Sequence, residues 1–281
     1  MIAPTRRSVP FVYASPHSGD HYPRPFVAAS SLDPLTLRRS EDAFVDRLFA
    51  AAPAHGAPLI RARYARAYLD VNREPYELDP TMYDEPLPAH ANTTSLRVAG
   101  GLGTIARVVA EGAEVYRGKL ALAEVEARLD TIYRPYHQAL GALLTETRAA
   151  FGHAVLIDCH SMPSIGGPND SDGGRRRSDI VLGDRFGTTA NSELVEWTRQ
   201  AFREAGFVVA RNNPYAGGFT THHYGRPADG FHTLQVEINR ALYMNETAIT
   251  PNGEFDSVAA GLAQVVARLA EYRLERPLAA E

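Results

Sequence analysis

Four apolar runs in this chain end in side chains that can do chemistry. VYASPH (12–17) ends at His17, and VLIDCHS (155–161) ends with Asp158, His160 and Ser161. YLDVNR (68–73) ends with Asp70, Asn72 and Arg73, and LQVEINR (234–240) sets Glu237 between Val236 and Ile238. Two histidines at strand ends suit a divalent metal, because neutral imidazole is a common zinc ligand and catalytic zinc takes three protein ligands plus water. The third ligand has several candidates. His21 completes an H-x-x-x-H spacing, but Gly19 and Pro23 argue against the helix this needs. Asp20 gives a local H-x-x-D pair with His17, and Glu41 and Asp42 lie where a carboxylate can turn back toward the strand ends.

A carboxylate inside an apolar strand is poorly solvated, and burial raises its pKa toward the range of a general base. Glu237 therefore reads as a base, with a buried salt bridge as the competing reading. Asp158 stands two residues from His160, on the same face of a strand, where it can orient a ligand from behind. Cys159 and His160 are adjacent, so they point to opposite faces and do not form a nucleophilic dyad. The stretch AGGFTTHHYGRP (216–227) adds His222, His223, Tyr224 and Arg226, with Gly217 and Gly218 permitting a sharp turn or a close backbone approach. There is no G-x-x-x-x-G-K-[ST] phosphate loop and no G-x-S-x-G elbow, and GGLGT (100–104) is too short for a dinucleotide fingerprint.

These residues need strands to carry them. Compact apolar runs predict strands at 9–15, 154–161, 178–184, 207–213 and 233–240, and a longer one at 58–72. Helical patterns lie between them. The segment 33–53 opens on Asp33-Pro34, a helix start signal. The segment 118–152 reads as a long helix or helix pair interrupted at Pro135. The stretches 188–206 and 254–275 complete the set. Alternating strands and helices imply a sheet between helical layers, and the Pro- and Gly-rich segment 73–103 implies a long functional loop. No linker or repeat divides the chain, so one domain over 1–281 is expected.

Among 281 residues, 44% are hydrophobic and 22% charged, as in an ordinary globular protein. A net charge of -4 disfavours nucleic acid as a partner, despite the local run GGRRRSD (173–179). One cysteine excludes an internal disulfide and fits a reducing, cytoplasmic setting. No apolar run reaches the length of a membrane span, and the N-terminus reads without a signal peptide.

Seven pieces in order, SPHSG (15–19), SEDAFVDRLF (40–49), LDVNREP (69–75), DCHSMPS (158–164), DIVLGDRFGTT (179–189), GGFTTHHYGRP (217–227) and LQVEINRALYMNE (234–246), resemble the N-formylglutamate amidohydrolase (deformylase) family. That family is similar to zinc carboxypeptidases and aspartoacylases, which implies a three-layer αβα sandwich with a mostly parallel mixed sheet. The resemblance implies one divalent metal, zinc first, on His17, Asp42 and His160, with Glu237 as base and His223 as a catalytic donor. It assigns Asn72 and Arg73 to a substrate carboxylate. Arg226 and Arg240, with Arg175, Arg176 and Arg177, are candidates for a second one. The implied reaction releases formate and L-glutamate from N-formyl-L-glutamate, as in histidine breakdown. The alternatives are hydrolysis of another N-acyl amino acid or peptide-like amide, or a non-catalytic binding protein on the same fold. Asn239 and Arg240 after the glutamate, and the loop 164–179, depart from the family pattern and bear on substrate choice.

Overall fold

Alternation along two nine-residue strands divides this protein into two cores and a site. The computed structural model describes residues 1–109, 112–168, 170 and 172–273. Asn169 and Ser171 of the 164–179 loop lie outside the described residues, as do 274–281 with the last residues of the expected C-terminal helix. The strands are β1 (Phe11–Ser15), β2 (Leu59–Arg61), β3 (Val108–Val109), β4 (Ala113–Glu114), β5 (Ala154–Met162), β6 (Ile180–Gly183), β7 (Val209–Arg211), β8 (Phe231–Asn239), β9 (Met244–Asn245) and β10 (Thr250–Pro251). Six form one sheet in the order β2-β1-β5-β8-β6-β7. Every pairing in it is parallel except β6 with β8. β3–β4 and β9–β10 are separate two-stranded ribbons.

The helices are α1 (Arg24–Ala29), α2 (Pro34–Arg38), α3 (Val45–Leu48), α4 (Leu96–Ala99), α5 (Leu122–Arg128), α6 (Arg134–Phe151), α7 (Ser192–Glu204), α8 (Phe219–Tyr224) and α9 (Phe255–Ala270). On one sheet face Phe11, Tyr13, Ile157, Cys159, Val236 and Ile238 pack with Val45 of α3, Leu194 of α7 and Leu262 of α9. On the other, Val12, Ala14, Ala154 and Leu156 pack with Val125 of α5 and Leu140 of α6. Two helical layers thus enclose a mixed, mostly parallel sheet, as the resemblance implied.

Differences from the expected elements have local causes. The 58–72 run forms a strand only over Leu59–Arg61, because the chain then leaves the sheet to pair with the segment after β1. His21 N–H donates to Arg63 O at 3.1 Å, and Ala65 N–H donates to His21 O at 3.1 Å. A Cβ at Gly19 would stand 2.1 Å from Tyr64 O, so this close approach requires glycine. The 33–53 helix begins as expected, with Asp33 accepting from the Leu35 and Thr36 N–H groups. It breaks after Arg38, and Phe44 adopts a left-handed conformation (φ 67°) before α3. In the 118–152 segment a π-helical turn at Leu129–Tyr133 joins α5 to α6, with Pro135 in the first turn of α6. Proline has no N–H to continue the regular ladder, and the wider turn absorbs the interruption without ending the helical path.

Candidate metal centre and active site

Even-numbered residues of β5 and odd-numbered residues of β8 share one face, because parallel register pairs Asp158 with Gln235 and His160 with Glu237. Low on the strands that face carries Ala154, Leu156 and Phe231, with Thr233 among them. At the carboxyl ends it becomes Asp158, His160, Gln235 and Glu237, all buried. His17 follows β1 by two residues, and the Asp70–Arg73 turn follows β2 further along the chain. Polar side chains therefore collect at the carboxyl ends of four neighbouring parallel strands, where open α/β sheets bind ligands. The break in helix after Arg38 serves the same place. The Asp42 N–H donates to His17 O at 3.0 Å and carries the Asp42 carboxylate to the ring beside it.

His17, Asp42 and His160 converge. His17 Nδ1 lies 3.2 Å from Asp42 Oδ2, His160 Nδ1 3.0 Å from the same oxygen, and the two Nδ1 atoms 3.1 Å apart. These three form a buried group able to hold a metal ion. The far side of each ring faces a carboxylate. His17 Nε2–H donates to Asp70 Oδ1 at 2.7 Å, and His160 Nε2 stands 3.0 Å from Asp158 Oδ1 in an ion-pair contact. Metal binding at Nδ1 requires the tautomer with the proton on Nε2, which leaves both Nδ1 lone pairs aimed at the centre, against a third lone pair from Asp42. Three such acceptors at this spacing repel one another unless a cation or a shared proton lies among them. Their separations also fit a tetrahedral metal: zinc–ligand distances of about 2.0–2.1 Å imply ligand atoms ~3.3 Å apart. The donor set therefore fits a zinc-like ion.

The surroundings tune these groups. Burial alone would raise the Asp42 carboxyl, but hydrogen bonds from His160 and His17 and the charges of His17 and Arg240 hold it well below the usual carboxylate range. Arg240 Nη2 donates to Asp42 Oδ1 at 2.9 Å and Nε donates to Ser161 Oγ at 3.1 Å, which leaves Oδ2 turned to the histidines. Burial would likewise raise Asp70, yet the charges of Arg73, His17 and Arg66 hold it low. Burial opposes charge on His160, but Asp158 and Asp42 raise its pKa well above the imidazole value. Glu237 goes the other way. Desolvation pushes it up to about 7, with the His160 charge lowering and the Asp42 charge raising it. It accepts one hydrogen bond, from Gln235 Nε2 to Oε1 at 3.0 Å.

The remaining sequence candidates separate. Glu41 turns away to Tyr22 and Arg38, and Asp20 is exposed, so Asp42 is the carboxylate at the centre. Asn72 lies inside it, with Nδ2 3.2 Å from His160 Nε2 and Oδ1 accepting the Thr220 N–H at 2.7 Å. The expected close approach at Gly218 is also present: a Cβ there would lie 2.9 Å from Asn72 Nδ2. Arg73 is buried and committed to the protein. Nε and Nη1 donate to Leu102 O and Asn72 O, Nη2 lies 3.6 Å from Asp70, and burial pushes its pKa down to about 10. His223 stacks on Phe219 at the exposed side of α8 and contacts His137 and Tyr224, while Thr220 and Thr221 of that helix face the site. Arg226 is exposed and pairs with Asp229. Arg177 is held by Asp170, Asp172 and Tyr215, and Arg175 and Arg176 are exposed. Cys159 is buried in the opposite core, where desolvation raises its thiol pKa.

Two contributors are not legible in the sequence as parts of this site. Gln235 looks like an ordinary strand residue, and only its register opposite Asp158 brings it here. Arg66 lies four residues before Asp70, and its Nε donates to Asp70 Oδ2 at 2.9 Å. Among the described residues its two Nη groups have no hydrogen-bond partner, and the side chain is 23% exposed. Its spacing from Asp70 is the one signal the sequence carries.

A family model described as N-formylglutamate amidohydrolase matches residues 9–244. An N-formylglutamate deformylase of Pseudomonas aeruginosa is 30% identical over 246 residues, which span 86% of this chain and 85% of that protein. Another, from Pseudomonas putida, is 32% identical over 209 residues, 73% of this chain and 71% of that protein. The crystal structure of N-formylglutamate amidohydrolase from Ralstonia eutropha JMP134 superposes with a TM-score of 0.88 at 36% identity, covering 96% of each chain. The gene product Atu2144 of Agrobacterium tumefaciens shares the fold, with a TM-score of 0.61 at 21% identity over 94% of this chain and 91% of that one.

Proposed function

This chain belongs to the N-formylglutamate amidohydrolase family, and on that premise we propose that it hydrolyses N-formyl-L-glutamate to formate and L-glutamate with a divalent metal held by His17, Asp42 and His160. The observation that carries the metal part is the convergence of three lone-pair atoms within 3.2 Å, two of them on imidazoles backed by carboxylates. When bound, a divalent metal supplies Lewis acidity, activating water and polarising the formyl carbonyl.

The protein's own groups do the rest. Glu237, poised at about 7, takes a proton from the attacking water as its oxygen bonds to the formyl carbon. The C–N bond then breaks, and Glu237 returns that proton to the leaving amine. Asp70 and Asp158 hold the two rings in the tautomer that directs Nδ1 inward. Arg240 fixes Asp42. Arg66, anchored at Nε by Asp70, offers its open Nη groups to a substrate carboxylate beside Asn72. Arg73 supports the turn that carries both Asp70 and Asn72. We read the chain as one catalytic domain whose small-molecule substrate arises in the cytoplasm from histidine breakdown. Among the described residues, no helix is long and apolar enough to cross a membrane.

The test combines metal analysis with release of formate from N-formyl-L-glutamate and N-formyl-L-aspartate, and of acetate from N-acetyl-L-glutamate, before and after chelation. Formate from the first substrate, lost on chelation and restored by zinc, is the expected result. Turnover indifferent to chelation removes the metal. A folded, metal-loaded protein inert on all three substrates points to a binding protein, and preference for another substrate moves the specificity.

A further inference from the structure

We propose that Gln235 is the positioning residue for Glu237, holding the carboxylate by one oxygen and tying that grip to the backbone at the start of α8. The proposal rests on the reading of Glu237 as the base. Gln235 stands two residues before Glu237 on β8, so both side chains occupy one face of the strand. Gln235 is buried, with 4% of its surface exposed. Its orientation is fixed from both ends. Oε1 accepts the Gly218 N–H at 2.8 Å and is approached by Thr221 Oγ1 at 3.5 Å. The amide nitrogen must then face Glu237, and Nε2 donates to Oε1 of that residue at 3.0 Å.

One donor on one oxygen does two things. It immobilises a side chain that otherwise has free torsions, and it leaves Oε2 of Glu237 as the oxygen open to water. Among the described residues Oε2 has no hydrogen-bond partner. The anchor is a backbone group: Gly218 precedes α8, and Gly217 beside it takes a left-handed φ of 126°. This grip also links the base to Asn72, which accepts from the Thr220 N–H two residues along and packs against Gly218. Groups brought near by α8 and by β8 thus share one hydrogen-bonded unit.

Other charges act on Glu237 from each neighbouring element: His160 on β5, Asp42 before α3, Arg240 after β8, Arg66 between β2 and the Asp70 turn, and Tyr215 ahead of α8. The test must therefore separate a lost positioning contact from a general disturbance. Gln235→Met keeps length and removes the donor. Gln235→Glu keeps an acceptor for Gly218 and sets a carboxylate against Glu237. Both are measured for metal content, melting temperature and the pH profile of kcat/KM, alone and combined with Glu237→Gln.

A hydrogen bond to a charged group predicts a fall in kcat of roughly 10- to 100-fold for Gln235→Met, with KM little changed. Its acid limb should move up by about one pH unit, and that of Gln235→Glu further, since two carboxylates in contact resist joint ionisation. In the Glu237→Gln background, Gln235→Met should have little additional effect on kcat. Single variants that lose melting temperature while keeping wild-type kcat and pH profile would overturn the positioning role. Additive losses in the double variant would do the same. Full turnover by Glu237→Gln alone would instead remove the base itself, so the two failures are told apart.

Discussion

Replacing Glu237 with glutamine separates a catalytic base from a structural ion-pair partner by moving stability and activity in opposite directions. Burial raises this carboxyl from 4.5 to about 7. The folded state therefore prefers the protonated form. The contribution to stability is complete below the unfolded pKa near 4.5 and is lost as pH rises toward 7. A gap of about 2.5 pH units at about 1.4 kcal/mol each makes the loss roughly 3 kcal/mol at pH 8. Glutamine cannot ionise and keeps the shape. The metal-free variant should therefore gain up to about 3 kcal/mol over wild type at pH 8 and almost nothing at pH 4. Denaturant unfolding of the metal-free proteins at both pH values measures this. In the metal-loaded proteins formate release should fall by about 10²–10⁴-fold at unchanged metal content, the usual contribution of a general base. A salt-bridge role predicts the reverse, with lower stability at pH 8 and near-normal turnover. Either that pattern or full turnover by the folded, metal-loaded variant would rule out Glu237 as the base.

Asp42→Ala should strip the metal as His17→Ala and His160→Ala do, while Glu41→Ala and Asp20→Ala leave metal content near wild type; equal losses at positions 41 and 42 would point to the wrong carboxylate. Asp70→Asn should weaken metal affinity by roughly 10- to 100-fold in a chelator competition, because His17 loses the acceptor that fixes its tautomer; unchanged affinity would show that the ring is held elsewhere. Arg66→Ala should raise KM for N-formyl-L-glutamate far more than it lowers kcat, at constant metal content, and an unchanged KM would take Arg66 out of substrate binding.

Periodicity alone places the strands that matter, because a buried strand is a compact apolar run whose polar end is visible in sequence. VYASPH, AVLIDCHS and TLQVEINR therefore mark His17, His160 and Glu237 at strand ends from residue order alone. Alternation also sets Cys159 apart from His160, and the two do lie on opposite faces. Residue types could not decide which carboxylate joins the histidines. Glu41 and Asp42 are neighbours, and only the break after Arg38, the left-handed Phe44 and the Asp42 N–H bond to His17 O turn one inward and the other toward Arg38 and Tyr22. Nor could they rank the arginines, since a guanidinium's role depends on which of its donors are already used. Arg73 and Arg177 are taken up by neighbours, whereas among the described residues Arg66 keeps its terminal groups open. The supporting contacts Asp70–His17 and Gln235–Glu237 depend on pairings the tertiary fold creates. The first spans 53 residues. The second is local, but it acquires its orientation from Gly218, which reaches β8 only when α8 folds over the strand ends.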